Sequence, residues 1–353
     1  MLGIERDGEM EIKFNKQEET FSFYSGNGDN GDAINRKTEI RFDPLTGETS
    51  RIIFDAGLTL TPPDYSEAAR QTGGKNCPFC SENIFYMTPV FPNNITNKGR
   101  IQHGEAIVFP NLFPYSKHNG VVVFSGQHYV KLQDFTAEMI KNAFLAAQHY
   151  IQKIIETDSA VKYVSINWNY LPEAGGSILH PHLHVIGSET ATNYQQQVNN
   201  AVQAFEQTNG HAFFEQLSVV EKKIGERWIG EIGEVAWMHA FAPKGHNDFL
   251  AIFRNKQSIF DISQDDWEHF ATGLKLIFNV FKEQGFTSFN LLTHLSVAVD
   301  PNAKQTPHMR IIPRFTIGGL NTSDINYFQA LHQEPLSYKY PEAIAEIARK
   351  YFN

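Results

Sequence analysis

The sequence predicts an α+β protein made of two tandem, related halves, each an antiparallel sheet with packed helices. The order strand pair, helix, strand, strand occurs twice along the chain. Two histidines recur at one separation of 128 residues, since His118 matches His246 and His180 matches His308. The repeated element order and the constant separation together favour a duplication. A polar N-terminal arm is predicted to precede the first half. The predicted limits are 1–36 for the arm, 37–225 for the first half and 226–353 for the second.

Each element is predicted from turn residues, helix caps and apolar periodicity. The segment Glu39 to Asp55, EIRFDPLTGETSRIIFD, predicts two strands about a Pro/Gly turn, and residues 56–100 are predicted to be loop. The strand pair EAIVFPNLFPYSKHNGVVVFS precedes a helix that Thr136 caps. In the second half a helix begins at Ser263, with Asp266 in the capping-box position. KYVSINWNY and FTSFNLLTHLSVAV follow these helices as strands.

The composition excludes several classes of partner. The formal net charge of −9 provides no basic field for nucleic acid or an anionic membrane surface. No apolar run approaches the ~20 residues that span a bilayer. The N-terminus MLGIERDGEMEIKF is charged and lacks the apolar core of a signal peptide, so a cytoplasmic location is expected.

The chain contains two cysteines, Cys77 and Cys80, in the turn-rich segment GGKNCPFCSEN. A disulfide across so short a span would constrain almost no chain. A pair at this spacing is typical of half a metal site or of a redox pair, and the turn-forming surroundings favour the metal.

Three histidines stand at two-residue spacing in HPHLHVI: His180, His182 and His184. Alternate residues of a strand share a face, so the three imidazoles are predicted to point the same way. An all-histidine metal site is disfavoured, because side chains about 6.6 Å apart along a strand do not converge on one ion without distortion. The other hypothesis gives each imidazole a different task.

Under that second hypothesis the central imidazole acts as a nucleophile toward phosphorus, and its neighbours orient it and donate to phosphate oxygens. The preceding Gly175, Gly176 and Ser177 fit this chemistry. Glycines let backbone N–H groups approach a phosphate, and the serine hydroxyl adds a donor.

The motif HPHLH followed by Val-Ile resembles the signature of the histidine-triad superfamily. The order of motifs over most of the chain resembles the galactose-1-phosphate uridylyltransferase branch of that superfamily. The motifs that carry the resemblance are EIRFDPLTG, CPFC, VVVFSGQH, NYLPEAGGSILHPHLH, HMRIIPR and YKYPEAIAEIARKYF.

The resemblance implies two tandem histidine-triad-like half-domains and a nucleotidyltransferase. It would pass a nucleoside monophosphate between sugar phosphates or phosphate through a covalent nucleotidyl-His182. The implied catalytic residues are His182, His184 and Ser177. The implied substrate-binding residues are Asn169, Gly175, Gly176, Ser177, Asn111 and Arg310. The implied ligands of a structural zinc ion are Cys77, Cys80, His128 and His180. A nucleotide sugar, a sugar phosphate and a second copy of the chain are the implied partners.

Two departures from the family pattern leave alternatives open. The uridylyltransferases carry Gln where this chain has His184, and an imidazole can also deliver a proton to a leaving group. The arginine-rich segment after the N-terminal strand is replaced by DAGLTLTPPD. A histidine-triad hydrolase or phosphorylase is therefore one alternative, and a non-catalytic, zinc-stabilised nucleotide-binding protein is another.

A second metal site of the family uses histidines of the second half. His294 and His308 match two of its ligands, but Arg310 replaces another, so a second metal is not expected. Arg310 would instead contact a phosphate or form a surface ion pair.

Overall fold

The described backbone is organised around one ten-stranded antiparallel sheet with helices on both faces, which confirms the predicted α+β class. A computed structural model describes residues 12–24, 32–53, 60, 62–297 and 305–352. The strands are β1 (Lys16–Phe23), β2 (Ile34–Phe42), β3 (Thr49–Ile52), β4 (Ile101–His103), β5 (Ala106–Pro110), β6 (His118–Val123), β7 (Tyr163–Tyr170), β8 (His182–Ser188), β9 (Trp228–Ile232), β10 (Val235–His239), β11 (Phe249–Phe253), β12 (Ser288–Ser296), β13 (His308–Arg314), β14 (Thr316–Ile317), β15 (Thr322–Ser323) and β16 (Leu336–Ser337). The helices are α1 (Ser66–Thr72), α2 (Ile84–Met87), α3 (Ala137–Thr157), α4 (Asn193–Asn209), α5 (Phe213–Ile224), α6 (Gln264–Glu283), α7 (Tyr327–Ala330) and α8 (Pro341–Phe352). Within the described ranges, no helix is both long and apolar enough to cross a membrane.

The strand order of the large sheet confirms the duplication. The order is β4-β5-β6-β8-β7-β12-β13-β11-β10-β9, so the second five strands repeat the first five in reverse. A pseudo-two-fold axis therefore passes between β7 and β12, where the two halves pair edge to edge. The domain limits at 36/37 and 225/226 stay predictions, since this sheet runs through both halves.

The constant separation of 128 residues is wrong, because strands β8 and β13 have the same burial pattern and begin at His182 and at His308. Gly120 lies opposite Val185 as Phe249 lies opposite Ile311. Strands β6 and β11 are therefore 129 residues apart, and β8 and β13 are 126 apart. Loops of unequal length between the strands account for the change. His308 thus corresponds to His182, and the residue that corresponds to His184 is Arg310.

The two faces of the sheet are covered differently. On one face α3 and α6 pack against both halves, around the buried rings of Trp168 and Trp267. Thr136 caps α3 and Ser263 forms a capping box with Asp266 on α6, as the sequence predicts. On the other face, α4 and α5 close the second half with an apolar cluster. Its members include Val198, Phe213, Phe214, Leu217, Met238 and Leu250.

A smaller sheet joins the two ends of the chain, in the order β1-β2-β3-β16. Strands β2 and β3 confirm the predicted pair about the Pro/Gly turn. Strand β1 lies in the segment predicted to be a polar arm, and every residue of it is exposed. Short helices α1 and α2 interrupt the segment predicted to be loop.

Glu342 on α8 ties this small sheet to the large one. Its carboxylate accepts from Arg41 Nη1 and Nη2 at 2.8 and 2.9 Å and from Arg227 Nη1 at 3.0 Å. Both guanidinium groups are buried, and Glu39 and Glu221 contact their Nε atoms. Burial alone would raise the pKa of Glu342, but its bonds to the two arginines outweigh burial and lower the pKa to about 2.

Replacing Glu342 by Gln is expected to lower the free energy of unfolding at pH 7 by about 2–4 kcal/mol, because two buried guanidinium groups lose a shared counter-charge. The carboxylate contributes fully above its ordinary pKa of 4.5, and this contribution is lost as the pH falls toward about 2. The difference between wild type and E342Q in chemical denaturation should therefore narrow over that window. Glu346→Gln, on the exposed side of α8, is the control and should change stability by less than about 0.5 kcal/mol. A difference that stays constant with pH would contradict the assignment.

Candidate functional site

A cleft of about 280 Å³ opens on the face of the first half opposite α3. The alternation along β8 places the cleft there, because Leu183 and Val185 join the core with α3 while His182 and His184 face the other way. The predicted residues that line it are Asn111, Asn169, Gly175, Gly176, Ser177, His182 and His184. The structure therefore brings together all the predicted catalytic residues and all but one of the predicted substrate-binding residues.

The imidazole of His182 is held in one tautomer by the backbone. Its Nδ1 lies 2.8 Å from the carbonyl oxygen of His180, which can only accept, so Nδ1 carries the proton. The Nε2 atom therefore holds the lone pair. Burial lowers the pKa of His182, which keeps the ring neutral at pH 7. The edge of Phe79 packs beside it at 5.3 Å between ring centroids.

The second cleft imidazole, His184, has a buried Nδ1 atom with no hydrogen-bond partner among the described residues. Its ring stacks on Tyr115 at 6.0 Å and meets the ring of His182 at 5.2 Å between centroids. Burial, with a smaller effect of His182, lowers the pKa of His184 to about 4. Both cleft imidazoles are thus neutral at pH 7 and adjacent.

The loop before β8 is shaped by backbone conformations that few residues adopt. Leu171 has φ 69° and Gly175 has φ 81°. A Cβ on Gly176 would lie 3.0 Å from the carbonyl oxygens of Asn169 and Leu171, so this position requires glycine. The N–H groups of Gly175 and Gly176 donate to Pro172 and Leu171 within the turn. The glycines therefore shape the turn instead of offering their N–H groups to the cleft, and Ser177 is left exposed at its wall.

Two asparagines of the cleft are fixed by other side chains. Asn111 Nδ2 donates to Asn119 Oδ1 at 3.0 Å, which anchors the loop after β5. Asn169 Oδ1, at the end of β7, accepts from Nδ2 of Asn290 on β12 at 2.8 Å. Asn290 was not identified from the sequence, because only the pairing of β7 with β12 brings it near the cleft.

A cluster of potential metal ligands stands beside the cleft. The ligand atoms of Cys77, Cys80, His128 and His180 all lie within 4.8 Å of one another. The two histidines turn Nδ1 toward the cysteine sulfurs, at 3.6 to 3.8 Å.

The opposite nitrogen of each ring is held by an oxygen atom. His180 Nε2 lies 2.8 Å from the carbonyl oxygen of Ser125, and His128 Nε2 lies 3.0 Å from Thr72 Oγ1. A proton on Nε2 leaves the Nδ1 lone pairs toward the thiols, which is the orientation that a metal ligand needs. Two thiols and two imidazoles make four ligands, which is the number and kind that a tetrahedral zinc site uses. His180 lies in the bend before β8, whereas the two cleft imidazoles stand on the strand itself.

Arg310, predicted to bind substrate, lies away from this cleft. It forms an ion pair with the buried Asp248 under α4 and α5, because its strand β13 belongs to the closed half. His308 stacks on Phe214 at 3.7 Å and on His294 at 4.9 Å between ring centroids. Residues on β13 that correspond to His182 and His184 are thus covered and held by protein groups.

No family model matches the chain. An uncharacterized protein of Archaeoglobus fulgidus is 30% identical to it over 340 residues, which is 96% of this chain and 98% of that protein. An ADP-glucose phosphorylase from Arabidopsis thaliana with bound ADP-glucose superposes with a TM-score of 0.68 at 17% identity, covering 89% of this chain and 99% of that one. A uridylyltransferase mutant gives 0.65 at 17% identity, covering 89% and 97%. The chain therefore belongs to the family of the Archaeoglobus fulgidus protein, and its fold is the tandem histidine-triad fold of the galactose-1-phosphate uridylyltransferase-like proteins.

Proposed function

We propose that the protein is a nucleotidyltransferase that works through a covalent nucleotidyl-His182. The observation that carries the proposal is the bond from His182 Nδ1 to the His180 carbonyl, which leaves a neutral imidazole with its Nε2 lone pair in the cleft. A nucleophile needs an available lone pair at neutral pH, and this arrangement provides one.

In the first step the Nε2 lone pair attacks the α-phosphorus of a nucleoside diphosphate sugar. The bond from phosphorus to nitrogen forms as the bond to the departing sugar phosphate breaks. The imidazole gains positive charge, and the His180 carbonyl stabilises it by accepting from Nδ1–H. Ser177 and Asn169 donate to the phosphate oxygens. In the second step an acceptor oxygen attacks the same phosphorus and releases the imidazole.

A nucleotide sugar is the proposed donor, and a sugar phosphate or phosphate is the proposed acceptor. Bound ADP-glucose in the Arabidopsis protein of the same fold supports this class of substrate. Exposed Leu112 and Phe113 at the mouth of the cleft supply apolar surface for a nucleobase.

Hydrolysis or phosphorolysis of nucleotides is a second candidate, favoured by His184. This residue places a second neutral imidazole against the proposed nucleophile, and its Nδ1 has no hydrogen-bond partner within the described ranges. An imidazole at this point can relay a proton to a poor leaving group such as an amine.

Zinc, held by Cys77, Cys80, His128 and His180, would supply a structural cross-link between the loop after α1, the loop after β6 and the segment before β8. His180 belongs to this cluster and also accepts from His182. The ligand set therefore positions the backbone that orients the proposed nucleophile.

Incubation with labelled UDP- and ADP-sugars is expected to give acid-labile label on His182, detected by mass spectrometry of the nucleotidylated peptide. His182→Ala should abolish the label and lower turnover by at least roughly 10³-fold, because no other group supplies the nucleophile. His211→Ala removes an exposed histidine and should leave both unchanged. Nucleotide binding without label or turnover in the wild type would instead support the non-catalytic alternative.

His184→Gln separates transfer from hydrolysis. The amide keeps a neutral donor but cannot relay a proton, so turnover of a nucleoside phosphoramidate should fall roughly 10²–10⁴-fold. Turnover of nucleotide sugars should fall much less, because a sugar phosphate leaves without added protonation. Initial rates with both substrates, in water and with added phosphate or sugar phosphate, measure the difference. Equal losses on both substrates would contradict a proton-relay role.

Freshly purified protein is expected to contain about one equivalent of zinc by elemental analysis. Chelation should lower the melting temperature by roughly 5–15 °C, since metal affinity for the native state is folding free energy. Cys77→Ser should reproduce this loss, and Ser81→Ala in the same loop should not. Zinc below about half an equivalent in the wild type would argue against the site.

A further inference from the structure

A chain of polar side chains runs from the second half of the protein into the cleft of the first. Asp324, near β15, bonds to Nε and Nη2 of Arg314 at 2.9 Å. Arg314 Nη1 donates to Asn290 Oδ1 at 2.9 Å. Asn290 Nδ2 donates to Asn169 Oδ1 and to the carbonyl oxygen of Ala174, both at 2.8 Å.

The direction of every bond in this chain is determined from its charged end. A guanidinium group only donates, so the atom of Asn290 that faces Arg314 must be its oxygen. The NH₂ of Asn290 therefore faces Asn169, and the atom of Asn169 that meets it must also be oxygen. The NH₂ of Asn169 is the end that remains for the cleft, whose wall Asn169 forms.

The ion pair at the origin of the chain is shielded from solvent, since the side chains of Arg314 and Asp324 are 16% and 11% exposed. A two-point Arg–carboxylate pair holds the guanidinium plane in place. The orientation of both amides is thus set by a rigid charged group.

The duplicated fold does not require this chain of residues. Asn290 lies opposite Ile312 as Ser165 lies opposite Ile186 in the first half. Arg314 corresponds by the same register to Ser188. Serines are too short to build the same chain, so among the described residues the equivalent positions of the first half do not repeat it.

We propose that Asn290, Arg314 and Asp324 are positioning residues for the proposed nucleotidyl transfer. They hold Asn169 with its NH₂ toward the phosphate, and they hold the carbonyl of Ala174 directly before Gly175 to Ser177. This inference rests on the proposed function. The negative charge on the phosphate oxygens is stabilised best by hydrogen-bond donors that are already in position before the reaction. A reversed Asn169 amide would instead turn an acceptor oxygen toward the phosphate.

Asn290→Asp tests the inference with little change in size. The new carboxylate keeps an ion pair with Arg314 but cannot donate, so Asn169 should reverse and turn its oxygen toward the phosphate. The single-turnover rate of His182 labelling is expected to fall roughly 10- to 100-fold, with kcat affected more than KM. The melting temperature should fall by only a few degrees, because the carbonyl of Ala174 loses its donor as well. Asn200→Asp, on exposed α4, carries the same chemical change as a control.

A double-mutant cycle separates positioning from a structural role. In an Asn169→Ala background, Asn290→Asp should lower the labelling rate of His182 much less than it does in the wild type. An equal loss in both backgrounds, or no loss in either, would overturn the inference while leaving the proposed function standing.

A binding measurement that needs no transfer gives a second readout. In the His182→Ala background, Asn290→Asp should weaken binding of UMP or AMP roughly tenfold. This result would support the inference even if the wild type did not label. Absence of both label and nucleotide binding in the wild type would overturn the proposed function and this inference with it.

Discussion

The pairing of β7 with β12 is the interaction on which the rest of the architecture depends. The ladder runs from Phe289 opposite Tyr170 to Ser296 opposite Tyr163. Where regular pairing lapses, the buried hydroxyl of Thr293 accepts from the Ile166 N–H at 2.8 Å and donates to its carbonyl. No backbone group of Ile166 is thus left unsatisfied in the core. The two halves become one sheet, one apolar cluster spans both of them, and side chains of the second half can reach the cleft of the first.

The same face of this symmetric sheet is covered differently in the two halves. In the first half His182 and His184 border a cleft. In the second half α4 and α5 cover the corresponding strand, where His308 stacks on Phe214 and Arg310 is neutralised by Asp248. Burying a lone guanidinium would cost several kcal/mol, so the carboxylate is a condition for closing this face. Duplication supplied two equivalent surfaces, and helix packing with one ion pair removed the second from solvent.

Features that depend on residues close together in the sequence could be predicted, whereas features that depend on pairing between distant strands could not. Thr136 and Ser263 cap their helices through contacts three residues away. The two-residue spacing places His182 and His184 together at the cleft, but the prediction that His180 shares their face is wrong, because His180 precedes the strand and lies in the cysteine cluster. Strand β1 escaped prediction because its first five residues, KQEET, are polar, and its position follows from pairing with β2. The true separation of 126 residues between His182 and His308 required the limits and burial of β8 and β13. The role of His128 beside the cysteines came from a resemblance, since nothing in its local sequence marks it.

His180 shows why the metal cluster and the proposed nucleophile cannot be considered separately. Its Nδ1 faces the two cysteine sulfurs, its Nε2 meets the Ser125 carbonyl, and its own carbonyl accepts from His182. One residue is therefore fixed at three points, and the third of them selects the tautomer of His182. A metal ion held by this cluster would cross-link the turn-rich loop to His180 and restrict the position of that carbonyl. In the proposed mechanism an imidazole with its proton on Nε2 would offer no lone pair to phosphorus, so the cluster would act on the proposed nucleophile through a single backbone oxygen.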